Sequence, residues 1–133
     1  TALAGSGGWM LRLATGEKVI GGSVTLAGTT FFNTNQPSSV ASATCSSNLG
    51  VALQYALSYE DASATIDSGT AGLTTADRSI RHAGGGYLPS PVPVVARLGG
   101  RIYQVVVSGT EVRMPPQAKL ESRYRFYWYI RRD

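Results

Sequence analysis

Short runs in which apolar and polar residues alternate, each closed by a glycine-bearing turn, constrain this chain more than any other feature. Trp9, Leu11 and Leu13 alternate with Met10, Arg12 and Ala14, and Val51, Leu53, Tyr55 and Leu57 follow the same rule. Near the end, Tyr124, Phe126 and Trp128 alternate with Arg125, Tyr127 and Tyr129. A period of two residues puts one set on each side of a strand, so a half-buried strand satisfies it and a helix does not. No stretch sustains a helical period. The expectation is an all-β fold of antiparallel strands.

The turns between these runs are equally legible. Gly21-Gly22 interrupts the segment Val19 to Leu26, and Ala27-Gly28 supports a tight hairpin into Thr29 to Thr34, a run of β-branched and aromatic residues. Gly99-Gly100 leads into Ile102 to Val107, and Ser108-Gly109 into Glu111 to Met114. Two stretches lack a period. Residues 35–48 read as an exposed loop, and residues 62–86 as a long loop or insertion. Leu88 to Pro93 is stiff and extended, and its prolines suit a strand edge. Short strands at this spacing suit a propeller, a small sandwich or a barrel. Propeller blades hold four strands each, so about eight strands make two blades, which cannot close a ring. On that reading the 133 residues form a single β module, a C-terminal fragment of a larger domain.

Composition points away from the cytosol. Charged residues are 15% of the chain, against about 25% in average soluble proteins. No apolar run reaches the roughly 20 residues that span a bilayer, so no transmembrane helix is expected. Cys45 is the single cysteine and cannot close a disulfide within the chain. It is either a buried thiol or one half of a pair with a cysteine elsewhere. The chain opens on Thr1 without a signal peptide, which fits a processed or excised segment. The +4 net charge concentrates at the end, in Lys119, Arg123, Arg125, Arg131 and Arg132.

Catalytic chemistry has little to work with. His82 stands between Arg81 and a glycine run and reads as a polar loop residue. One His and one Cys fall short of the four ligands of a structural zinc site, and no local motif supports Cys45 with His82 as nucleophile and base. Gly84-Gly85-Gly86 is followed by Tyr87-Leu88-Pro89, which forbids the helix that a phosphate loop needs, so it reads as a flexible hinge. No cofactor, metal or nucleic acid is expected. In the last strand Tyr124, Phe126 and Trp128 are expected in the core. Arg125, Tyr127, Tyr129 and Arg131 form the candidate interaction surface. Trp9, Phe31, Phe32, Leu53, Tyr55 and Tyr103 complete the expected core, and loops 35–48 and 62–86 are further contact surfaces.

Three stretches in order carry a resemblance. They are Gly8 to Leu13 with Gly16 to Val19; then Gly28-Thr29-Thr30-Phe31-Phe32-Asn33-Thr34 with Pro37 and Cys45; then Gly84-Gly85-Gly86 with Pro89-Ser90-Pro91-Val92-Pro93 and an aromatic-basic finish at Tyr127-Trp128. In that order, from Gly8 to Arg132, the chain resembles the C-terminal region of the PilY/PilC family of type IV pilus tip adhesins and assembly proteins. The resemblance implies a propeller-like domain, an extracellular, pilus-associated location, and roles in pilus assembly and adhesion. The family's calcium site uses an aspartate-rich loop, whereas Glu60, Asp61, Asp67 and Asp77 are scattered, so no metal ligand is carried over. The expectation is a non-catalytic structural and interaction module whose partners are pilin-like subunits or other tip components. The alternatives are a carbohydrate-binding or host-adhesion module that holds surface glycans, a fragment of an enzyme such as a quinoprotein-type propeller dehydrogenase, for which no cofactor ligands stand out, and a filament-forming β subunit.

Overall fold

The computed structural model describes residues 2–3, 8–38, 49–67, 69 and 72–115. Within them the protein is all-β with antiparallel strands, relieved by one turn of 3-10 helix at Thr75–Arg78. β1 (Ala2–Leu3) pairs with β2 (Gly8–Trp9). β3 (Lys18–Leu26), β4 (Thr29–Gln36), β5 (Val51–Ser58) and β6 (Ser79–His82) form a four-stranded sheet in chain order. β7 (Val92–Leu98), β8 (Arg101–Ser108) and β9 (Glu111–Arg113) form a second sheet, again in chain order.

Local chemistry accounts for the connections. Ala27 and Gly28 both hold positive φ, 54° and 81°, the geometry whose twist matches the flanking strands of a two-residue hairpin. Leu26 consequently pairs with Thr29, and the register runs on to Val24 opposite Phe31. There it slips between Ile20 and Val24, where Gly21 has φ 82°. The interruption expected at Gly21-Gly22 is therefore a bulge inside one continuous strand. Pro93 lies in β7, an edge strand of its sheet, where the missing N–H is tolerated.

The four-stranded sheet is covered on both faces, which explains why β4 is buried at almost every position. On one face Phe32, Tyr55, Leu57 and Ala62 pack with Trp9, Leu11, Leu13 and Leu53. The Phe32 and Tyr55 rings stack with centroids 4.8 Å apart. On the other face Phe31, Ala56 and Val106 pack with Val24, Leu26 and Ile66, so Val106 of β8 joins the two sheets. Phe31 is fully buried, and its truncation to alanine would cost about 3–5 kcal/mol.

Three expectations are corrected. Only Gly8–Trp9 of the first alternating run is strand, because Leu11 and Leu13 reach the core from an irregular segment laid over the sheet. β4 continues through Asn35 and Gln36, two residues into the stretch read as loop, since both pair with β5. The stretch 62–86, read as a long loop or an ordered insertion, carries ordered elements. It holds the 3-10 turn and β6, which closes the sheet by pairing Ala52 with His82 and Gln54 with Ile80. A four-residue strand is too short to show a period. Tyr103 and Leu53 are half-buried rather than fully enclosed.

Candidate interaction surface and the polar seam between the sheets

The chemistry-bearing side chains gather where the two sheets meet. Asn33 and Gln54 are direct cross-strand partners and share a face with Ala52 and His82. Opposite them, Ser108 and Glu111 are cross-strand partners in the second sheet. The Asn33 amide Nδ2 donates to the Pro89 carbonyl at 2.6 Å and to Ser108 Oγ at 2.7 Å. His82 Nδ1 lies 3.5 Å from Glu111 Oε1, and Arg113 Nη2 lies 3.4 Å from Glu111 Oε2. Gln54 is 2% exposed, yet neither its Nε2 nor its Oε1 has a partner. Asn33 Oδ1 and His82 Nε2 are buried and unpartnered as well.

A second set of contacts locks the loops onto β4. Asn35 Nδ2 donates to the carbonyls of Leu49 and Gly86, at 3.1 and 2.7 Å. The Gly86 N–H donates to the Leu49 carbonyl at 3.0 Å. A Cβ on Gly85 would collide with the Gly50 carbonyl oxygen, and its φ of 59° favours glycine in any case. Gly85 and Gly86 of the glycine run expected to be a hinge thus form a close-packed crossing. Ser90 Oγ accepts from the Gly22 N–H at 2.9 Å, so the Pro-Ser-Pro segment is tied to the β3 bulge.

On the opposite face Glu17 is a buried carboxylate with three donors. They are the Ala14 N–H at 2.9 Å, the Thr34 hydroxyl at 2.5 Å and the Tyr55 hydroxyl at 2.9 Å. Such pairing is what makes a buried carboxylate tolerable. Burial first, and then the bond and charge of Glu17, push the Tyr55 phenol up to about 12.

The structure corrects the reading of His82 as a loop residue. It is 5% exposed, inside β6. The seam residues Asn33, Gln54 and Ser108 were not singled out from the sequence. The available signal was polar residues at core-facing positions of otherwise apolar strands. The candidate surface residues Arg125, Tyr127, Tyr129 and Arg131 lie outside the described residues, as do Cys45, Phe126 and Trp128. The scattered acids serve local turns. Asp61 Oδ1 accepts from both the N–H and the hydroxyl of Ser63, which lowers its pKa from the ordinary value. Asp67 accepts from the Gly69 N–H, and Glu60 accepts from the Tyr59 hydroxyl. Among the described residues no helix is long and apolar enough to cross a membrane.

Comparison with protein-family models, with curated proteins and with solved structures finds no match for this chain.

Proposed function

We propose that this chain is a non-catalytic structural and interaction module of a type IV pilus-associated surface protein, built as two successive blades of a propeller. The observation that carries the reading is a convergence. Two of the three stretches on which the family resemblance rests, more than 50 residues apart in sequence, meet in one joint between the sheets. Asn33 of the Thr29 to Thr34 stretch binds the carbonyl of Pro89, and Asn35 just beyond it binds the carbonyl of Gly86. Ser90 of the proline stretch holds the bulge at Gly22. Motif residues that bind one another, rather than a cleft, are what a structural signature looks like.

Two further features favour it. A four-stranded antiparallel meander followed by a three-stranded one, packed through Phe31, Ala56 and Val106, is compatible with neighbouring blades. The end of the β7–β8 hairpin shows one exposed face on which Val95 and Ile102 lie beside Arg97. Exposed apolar residues beside a charge suit docking onto another subunit.

The test is to shear surface filaments from the source organism and probe them with antibody to this segment, alongside a deletion strain. Signal on the pili and reduced piliation in the deletion strain are expected. Normal piliation with no signal on filaments overturns the proposal.

A further inference from the structure

We infer that the open pocket beside the Thr75–Arg78 turn is a binding site for the carboxylate of an acidic sugar. The pocket has a volume of about 420 Å³ and is lined by Ser63, Ala64, Leu73, Thr74, Thr75 and Arg78. That volume suits a ligand of one or two rings. The site stands independently of the filament reading.

Both walls are held in place. Ala64 forms a bridge with Leu57 of β5, and the Ser58 N–H donates to the Ser63 carbonyl at 2.8 Å. Across the pocket, Asp77 Oδ2 accepts from the Thr74 N–H at 2.8 Å and from the Thr74 hydroxyl at 2.7 Å. Asp77 is 2% exposed, and β6 continues directly from Arg78 into the sheet. A site with fixed walls loses little freedom on binding.

The lining defines the ligand. Arg78 is half-buried, its Nε is buried without a partner, and no ion pair among the described residues engages it. A guanidinium is a planar fork of donors that matches a carboxylate with two parallel hydrogen bonds. Partial burial strengthens that attraction over its value in water. The Ser63 hydroxyl donates to Asp61 Oδ1 at 2.7 Å, and the Thr74 hydroxyl is likewise committed as donor, so both oxygens keep lone pairs to accept from ligand hydroxyls. Ala64 and Leu73 supply apolar wall, and Leu73 is 57% exposed. One cationic fork, two acceptor hydroxyls and an apolar wall together describe a hydroxylated ring bearing a carboxylate, free or at the end of a glycan.

The experiment is an NMR titration of the isotopically labelled full chain with glucuronate, glucose and inorganic phosphate in parallel. Glucuronate should shift the amides of Ser63, Ala64 and Leu73 to Arg78, and bind at least about tenfold more tightly than glucose or phosphate. Arg78→Lys, which keeps the charge but not the fork, should weaken glucuronate binding roughly tenfold. A spectrum of the unliganded variant shows whether its fold is kept, and the wild-type comparison of the three ligands stands without it. Equal binding of glucose or phosphate, shifts elsewhere on the chain, or unchanged affinity in a folded Arg78→Lys variant would each overturn the site. A glycan array carrying uronate-terminated and neutral chains then separates glycan ends from free sugar acids. Piliation is a separate readout, so loss of this site and loss of the filament reading are distinguishable.

Discussion

The Tyr55 hydroxyl donates to Glu17 Oε1 at 2.9 Å, joining the middle of the central sheet to a turn 38 residues earlier in the chain. The same carboxylate oxygen accepts from Thr34, and the other holds the Ala14 N–H. The irregular segment that brings Leu11 and Leu13 over Phe32 is therefore anchored at its end by one buried acid. Tyr55→Phe keeps the stacked ring but removes one donor from a buried carboxylate. It should lower unfolding stability by about 1–2 kcal/mol, read from the urea midpoint. Stability equal to wild type would mean that the bond contributes nothing net.

The same pair sets an alkaline limit. Its folded pKa of about 12 lies above the ordinary 10.0 of a tyrosine, so the folded state holds the Tyr55 proton more tightly than the unfolded one. That contribution is complete below pH 10 and is lost as pH rises from 10 towards 12. Tyr59, bonded to Glu60, is also raised above the ordinary value, so ultraviolet titration of the phenolates should show a late-ionising fraction that Tyr55→Phe diminishes, with loss of the step near pH 12. A step near pH 12 that persists in the variant would assign it to another tyrosine.

Asn33 and Gln54 sit side by side in the sheet and should respond in opposite directions. Asn33→Asp replaces the amide that donates to Pro89 and Ser108 with a carboxylate facing a carbonyl oxygen. A loss of about 3 kcal/mol or more is expected in chemical denaturation. Gln54→Met removes a buried amide with no partner while keeping its length, so it should be neutral or stabilising by about 1 kcal/mol. Strong destabilisation by Gln54→Met would show that its amide is satisfied in solution.

Two glycine substitutions separate crowding from backbone strain. Gly85 and Gly99 have nearly the same φ, 59° and 57°, but only Gly85 abuts another backbone. Gly99→Ala should cost about 1 kcal/mol, the strain of a left-handed residue alone. Gly85→Ala must also displace Gly50 and should cost about 3 kcal/mol or more, visible as a much larger drop in melting temperature. Equal drops would show that the glycine crossing yields easily.

The sequence by itself determined the secondary structure of most of the described chain. Alternation at Val51 to Leu57, the Ala27-Gly28 hairpin and the Gly99-Gly100 turn are local effects of side-chain period and backbone sterics, and each stands where the residues place it. Phe31, Phe32 and Tyr55 were legible as core for the same reason. Tertiary structure alone decided which polar residues are buried. His82, read as a loop residue, lies in a strand because Ala52 pairs with it, and Gln54 is enclosed because a second sheet covers its face. The glycine run 84–86 carries no local sign of a rigid crossing, because what rigidifies Gly85 and Gly86 is Gly50 and Leu49, thirty-odd residues away. The pocket at Arg78 is of the same kind: one wall is bridged to β5 and the other runs directly into β6. Period and propensity act over a few residues, whereas enclosure depends on what the rest of the chain brings alongside.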